Sequence, residues 1–327
     1  VNSPDSPATG SPVLLVNPRS FRASRWRRGE RAAQLARRAG IEVIMASDPL
    51  QFRAAFDALH ARRQQQVWVF AGDGTILWLL ESLNALDDGW SPALLLLGGG
   101  RANVVPRECG GYPPMRALRR ALAAHREGRP LARMALPSLT VRQPGQPDRH
   151  GFFIAGGMVH EGVQVCSAHR ARGEGWLHRS LAADFYALLK LLVQVVIGRS
   201  PLPPYTSMAL TMADGRQLPS SPMRILLATT LGMGDALYNP FAANGEGSVR
   251  VTAIAADAPQ FWRHLPGILR GRFGPSLVPE RGVLSGRCQS VQVLGIRDYS
   301  LDGELRSADP SLPLTIEAGT VLTVLKP

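Results

Sequence analysis

The chain has 327 residues, 45% of them apolar and 19% charged, with a formal net charge of +12. That length accommodates two domains, and the composition is that of an ordinary globular protein, not a disordered or fibrous one. No run of about 18 uninterrupted apolar residues occurs, so no transmembrane helix is expected, and three cysteines without metal-ligand spacing point to a reduced, cytoplasmic setting and not to a disulfide framework.

Almost all of the positive charge is arginine; Lys190 and Lys326 are the only lysines. Such a surplus favours anionic partners without choosing among nucleotides, nucleic acid and acidic lipid. No alternating basic and aromatic pattern supports nucleic acid. His160, His169 and His178 have no metal-ligand spacing. Residues 1–11 are rich in Ser and Pro, have no apolar core and read as a disordered leader, not a signal peptide.

Residues 12–133 alternate strand and helix patterns. Residues 13–17 form a short apolar strand, and residues 24–39 a helix with Ala32, Ala33, Leu35 and Ala36 inward and Gly40 as its stop. The arginines at 19, 22, 25, 27, 28 and 31 would give such a helix a broad cationic face beside Trp26. That face suits a lipid headgroup plane, and equally a solvated surface. A second strand spans 41–46, and Pro49 opens a helix carrying Phe52, Ala55, Phe56 and Leu59 on one face. The apolar run 67–70 is too short for a free helix and reads as a buried parallel strand. Gly72 and Gly74 allow positive φ and close backbone approach to a ligand, and Thr75 is a candidate N-cap for a helix from Ile76. Residues 93–97 make a fourth strand and 114–127 another helix. This alternation predicts a parallel, Rossmann-like sheet, with ligands outside the C-terminal strand ends. Asn17, Asp73 and Asn103 all lie just past those ends.

A strand, a glycine turn and a helix suit a phosphate, because the free N–H groups of the helix start carry the positive end of its dipole. Asp73 is then the odd residue: a carboxylate there works through a cation or accepts a proton from an incoming hydroxyl, unless Asp-Gly is simply a turn. Residues 134–307 change texture to strand-like pieces bounded by Pro, Gly and Asp, which predicts a β-rich, sandwich-like domain. Asp214-Gly215 reads as a hairpin turn. Residues 180–197 read as a helix apolar over most of its circumference, either buried or touching lipid. Residues 259–271 read as a further short helix.

Gly72-Asp73-Gly74-Thr75 after a buried strand resembles the Gly-Gly-Asp-Gly-Thr signature of the diacylglycerol kinase catalytic domain, the sphingosine kinases, the bacterial lipid kinases and, more distantly, the NAD kinases, with Ala71 in place of the first Gly. Asn17-Pro18-Arg19-Ser20, Gly100-Arg101-Ala102-Asn103 and Asp302-Gly303-Glu304 follow the lipid-kinase order over nearly the whole chain. The resemblance implies an ATP- and Mg2+-dependent phosphotransferase in which residues 308–327 return to complete the first domain. It implies a nucleotide site at Asn17, Ser20, Gly72, Gly74, Thr75, Gly100, Arg101 and Asn103. Asp73, Asp302 and Glu304 are the implied acids, with Asp73 and Asp302 also candidates for the magnesium contact. The implied partners are a lipid substrate, an anionic membrane met peripherally at its inner surface, and a second copy of the chain as a homodimer.

Several residues depart from the family pattern. Leu77 and Trp78 stand where the family often has Asn-Glu. Arg101 and Val104 replace Thr and Asp, Phe21 replaces a Gly, and Glu246-Gly247 stands for Asp-Gly. Loss of a carboxylate at Val104 removes a metal contact, while Arg101 adds a cation that can meet phosphate directly. Three functions therefore stay open: a lipid kinase acting on a diacylglycerol, sphingoid base or related lipid; a kinase with a soluble acceptor such as NAD; and a catalytically weak lipid- or nucleotide-binding protein.

Overall fold

The computed structural model describes residues 10–86, 88–162, 164, 205–233 and 239–327. Most of the expected leader, the apolar helix over 180–197, Cys166, His169, His178 and Lys190 lie outside the described residues. The chain divides into two compact units, Val1–Pro137 with Thr320–Pro327, and Ser138–Gly319.

In the first unit the strands β1 (Val13–Val16), β2 (Glu42–Met45), β3 (Gln66–Ala71) and β4 (Ala93–Gly98), with the end of β15 (Leu314–Lys326), form a parallel sheet in the order β15-β4-β3-β1-β2. Leu15 of β1 sits between Ile44 and Val69, and Val324 pairs with Leu94. Every residue of β1 and β4 is buried, as continuous apolar runs require when helices cover both faces. On one face Leu14, Val16, Trp68, Phe70, Leu95 and Leu97 pack against Ala32 and Ala36 of α2 (Arg28–Arg38) and Leu118 and Leu122 of α6 (Pro114–Arg126). On the other, Leu15 packs with Phe52 and Ala55 of α3 (Pro49–Ala61) and with Trp78. Trp78 lies 6.1 Å from the Phe52 ring and 5.7 Å from Phe56. Leu77 is buried. The apolar departures at positions 77 and 78 thus serve the core.

Two expectations need correction. The helix after β3, α4, spans Asp73–Asn84 with Gly72 as its N-cap, so it starts three residues before Ile76 and Thr75 is inside the first turn. Gly72 has φ −86°, and Gly74 is helical, so neither uses the left-handed region. The arginine-rich stretch is also not one helix. A short α1 (Phe21–Ser24) runs into a 3-10 turn, Arg25–Arg27, and Arg27 adopts φ 53° before α2 begins. Left-handed backbone at a non-glycine residue breaks helical phase, so the arginines on either side of Arg27 do not form a single helical stripe.

The second unit is β-rich. Strand β9 (Gln217–Thr229) serves two sheets: its first half pairs antiparallel with β8 (Ser207–Met212), its second with β7 (Phe153–Gly157) and β10 (Val249–Ala255). Beyond β8 lie β12 (Ser290–Leu294) and the start of β15; beyond β7 lie β13 (Asp298–Leu301) and β14 (Glu304–Ser307); β10 also pairs with β11 (Val283–Cys288). Inward side chains from both sheets, among them Leu210, Leu226, Val251, Val291 and Leu301, form one core, as in a sandwich. The turn Asp214-Gly215 joins β8 to β9, with Gly215 at φ 87°.

Candidate functional site

The ladder of the parallel sheet runs one hydrogen bond past its strand ends: Asn17 N–H donates to the Phe70 carbonyl at 3.0 Å, and Gly99 N–H to the Ala71 carbonyl at 2.7 Å. These bonds draw the loops after β1, β3 and β4 together at the C-terminal edge. Arg22 N–H then donates to the Gly99 carbonyl at 2.7 Å, so the loop after β1 is tied directly to the loop after β4.

Close backbone approach, not positive φ, explains the glycines. A Cβ on Gly100 would sit 2.9 Å from both the Gly72 Cα and an Asp73 carboxylate oxygen, and one on Gly99 would sit 2.8 Å from Ser20 Oγ and 2.9 Å from the Ala71 carbonyl. A Cβ on Gly74, by contrast, would meet nothing within 4 Å, and Gly74 is exposed. Sequence reasoning singled out Gly100 and missed Gly99; the run Gly98-Gly99-Gly100 was the available signal.

Asn17, Ser20 and Thr75 are joined to one another. Asn17 Nδ2 donates to Thr75 Oγ1 at 3.2 Å, its Oδ1 accepts from the Arg19 N–H at 3.0 Å, and Ser20 Oγ donates to the Asn17 carbonyl at 2.9 Å. Asn103 is buried, with φ 51°. Its Oδ1 accepts from Gly100 N–H at 2.7 Å and its Nδ2 donates to the Gly100 carbonyl at 2.9 Å. The amide expected to reach a nucleotide is therefore engaged by its own loop, because a buried amide must satisfy both ends. Its backbone N–H donates to Asp73 Oδ2 at 2.9 Å. Asn103 thus positions Asp73.

Asp73 is the first residue of α4. Its second oxygen, Oδ1, is shut away from solvent with no hydrogen-bond partner. Burial dominates its proton affinity and pushes the carboxyl above its ordinary value, while the N–H groups of Asn103, Asp73 and Val104 and the charge of Arg107 pull it down in smaller measure. Three arginines of the segments after β1 and β4 stand over aromatic rings. Arg101 lies 4.7 Å from the Phe21 ring centroid, and Arg22 and Arg107 lie 5.1 and 4.1 Å from that of Tyr112. Such stacking holds a guanidinium in place without neutralising it. Two departures from the family pattern, Phe21 and Arg101, meet in one of these pairs. Arg107 was not foreseen, and nothing in the local pattern marks it.

Asp302 and Glu304 belong to the second unit. Asp302-Gly303 has φ 50° and 87° and closes the β13–β14 hairpin, with Leu301 opposite Glu304, so the motif is a two-residue turn with both central residues left-handed. Asp302 Oδ2 accepts from the Phe152 N–H and Oδ1 from the Phe153 N–H, each at 2.9 Å. Its carboxylate therefore clamps the start of β7. Glu304 is exposed and accepts from Arg306 at 2.6 Å. The acids expected to share the chemistry are in this structure a turn clamp and a surface ion pair.

Residues 11–131 match the family model of the diacylglycerol kinase catalytic domain. No curated protein matches the chain significantly by sequence. Three solved Bacillus anthracis proteins, one described as a diacylglycerol kinase and two as candidate diacylglycerol kinases, share the fold at TM-scores of 0.60, 0.61 and 0.62, with 12%, 14% and 14% identity. In each case 97% of both chains is covered. The three motif loops that converge at one sheet edge all lie within residues 11–131, the stretch that is similar to the diacylglycerol kinase catalytic domain, and the whole chain shares the fold of these three bacterial proteins.

Proposed function

We propose that the chain transfers the γ-phosphate of ATP to the hydroxyl of a lipid, a diacylglycerol, sphingoid base or related alcohol. The observation that carries this reading is the half-buried Asp73 carboxylate at the N-terminus of α4, whose Oδ1 is enclosed and unpartnered. A fold that only needed a turn there would satisfy or expose that oxygen. The positive dipole end of α4 and the open surface at Gly74 suit a phosphate, and Arg101, held by Phe21, adds a cation. Asn17, Ser20 and Thr75 fix the loop between β1 and α1 against α4.

Phosphoryl transfer asks chiefly for positioning and for charge to be answered. Asp73, with its raised proton affinity, is the group that takes the proton of the acceptor hydroxyl once substrates order the loops. A magnesium ion carried on nucleotide phosphates needs one or two protein carboxylates and keeps its waters, and Asp73 Oδ1 is a donor of that kind. When bound, the ion supplies neutralisation of the phosphate charge.

Radiolabelled ATP with diacylglycerol, sphingosine, NAD and water as acceptors, in detergent micelles with magnesium, tests the proposal. Label is expected in a lipid, and Asp73→Asn is expected to lower kcat by about 10² to 10⁴. Label in NAD alone, or an unchanged kcat in the variant, overturns it. A binding protein with little turnover is the second reading, favoured by the commitment of Asp302 to the Phe152 and Phe153 amides. Nucleotide binding without label transfer supports that reading.

A further inference from the structure

The second unit carries a segment that the proposed chemistry leaves unused. Residues 258–279 contain no Asp or Glu. Within them lies the helix α7, Phe261–Ile268, anchored by its two buried ends, Phe261 and Ile268. Between and just beyond those anchors Trp262 is 36% exposed and Leu269 40% exposed. Arg263, Arg270 and Arg272 are exposed around them. The indole is braced, with the Phe261 ring 4.9 Å away at 70° and the Arg224 guanidinium 5.8 Å from its centroid. Arg263 donates to the Gln260 side chain and Arg270 to the Pro266 carbonyl, so their hydrogen bonds leave their charges unneutralised. A braced tryptophan and a leucine are thus presented on one face among arginines that form no ion pair with the described residues.

We propose that this face of α7 docks on an anionic lipid bilayer, with Trp262 and Leu269 entering the boundary between headgroups and acyl chains and Arg263, Arg270 and Arg272 meeting lipid phosphates. A bilayer supplies the two things the face lacks, an apolar layer and a sheet of negative charge. Self-association supplies only the first, because a two-fold contact sets the same arginines against one another with no acid in the segment to answer them. The purpose of docking rests on the lipid-kinase reading, but its occurrence does not. The surface is distinct from the arginines of α1 and α2, which the sequence offered as a lipid-facing or a solvated face.

The test is sedimentation of the full chain with phosphatidylcholine vesicles, alone or with about one third phosphatidylglycerol. The parent is expected to bind the anionic vesicles only, and less so at high salt. The triple variant Arg263→Gln, Arg270→Gln, Arg272→Gln should bind on the order of 100-fold more weakly, and Trp262→Ala about 10-fold more weakly, both with unchanged circular dichroism and thermal midpoint. Equal binding to neutral vesicles overturns the proposal, as does undiminished binding by these variants. Loss confined to an Arg25→Gln, Arg27→Gln, Arg31→Gln variant, or a dimer in light scattering that Trp262→Ala abolishes, overturns it too. Phosphorylation of lipid in detergent micelles, which needs no bilayer, should be equal in parent and variants. A parent that docks yet phosphorylates nothing in micelles leaves docking standing and removes the kinase reading.

Discussion

Two Asp-Gly pairs in this chain look alike on paper and differ in what surrounds the carboxylate. Asp302, before Gly303 in the second unit, receives one backbone N–H on each oxygen. Asp73, before Gly74 in the first, receives one on Oδ2 and leaves Oδ1 buried and bare. The first arrangement is what a turn needs to hold two strands, and the second works against folding. An enclosed carboxylate oxygen without a donor raises the free energy of the native state, so its retention points to a demand other than stability. The donor count around the acid, not the motif around it, separates the two.

Substituting each acid should move stability in opposite directions, and this is the largest effect expected. Asp302→Gly keeps the left-handed backbone but leaves the Phe152 and Phe153 amides without acceptors, and should cost about 2 to 4 kcal/mol in urea unfolding. Asp73→Asn should leave stability unchanged or raise it. The sign follows from linkage: a carboxyl whose folded proton affinity is raised contributes stability below its unfolded pKa, and that stability is lost as pH rises through the folded value. Above the unfolded value the Asp73 carboxyl is thus a burden that Asn removes. If Asp73→Asn is the more damaging of the two, the contrast between a clamp and a strained carboxylate fails.

The glycines that border Asp73 sharpen the same comparison at a smaller scale. Gly100→Ala drives a methyl into the Gly72 backbone and the Asp73 carboxylate, and should cost about 1 to 3 kcal/mol. Gly74→Ala meets nothing and lies in the first turn of α4, so it should stabilise by about 0.5 to 1 kcal/mol. The proposed phosphate approach adds a second readout, weaker nucleotide binding by calorimetry in the Gly74 variant. More stability with less affinity marks a surface kept bare for a ligand; more stability with equal affinity shows that the cradle lies elsewhere.

The parts of this legible in sequence were those with short-range causes. Unbroken apolar runs marked β1, β3 and β4 as buried parallel strands, and the register confirms neighbours such as Leu15 with Val69. The Asp-Gly step marked the β13–β14 turn. The start of α4 was misplaced because Asp and Thr suit the first turn of a helix as well as its cap, and only the backbone angles of Gly72 decide. The long arginine helix failed at Arg27, whose φ of 53° leaves no mark in a run of good helix formers. Least legible were the contacts across loops. Neither the bond from Asn103 to Asp73 Oδ2 nor the meeting of Arg101 with Phe21 has a local signature, since each joins loops at different strand ends.

The smallest effect concerns a second buried titratable group, His160, which lets the contrast be read as a function of pH. Its Nδ1 lies 3.0 Å from Ser300 Oγ and its Nε2 3.0 Å from Gln164 Nε2, so both ring nitrogens have polar neighbours and, among the described residues, neither faces a carboxylate at hydrogen-bond distance. Burial lowers its proton affinity, against weaker opposing pulls from the charges of Glu161 and Asp298. For a histidine so depressed the unfolded chain binds the extra proton first. Stability should therefore be full above the unfolded value, about 6.5, and fall as pH drops through that value toward the folded one. His160→Gln, which keeps a neutral polar group near Ser300, should flatten the decline in urea-unfolding free energy between about pH 7 and pH 5. An unaltered decline in the His160 variant would show that the ring has the same proton affinity in both states, and that this buried polar pair, unlike the Asp73 carboxylate, places no electrostatic load on the fold.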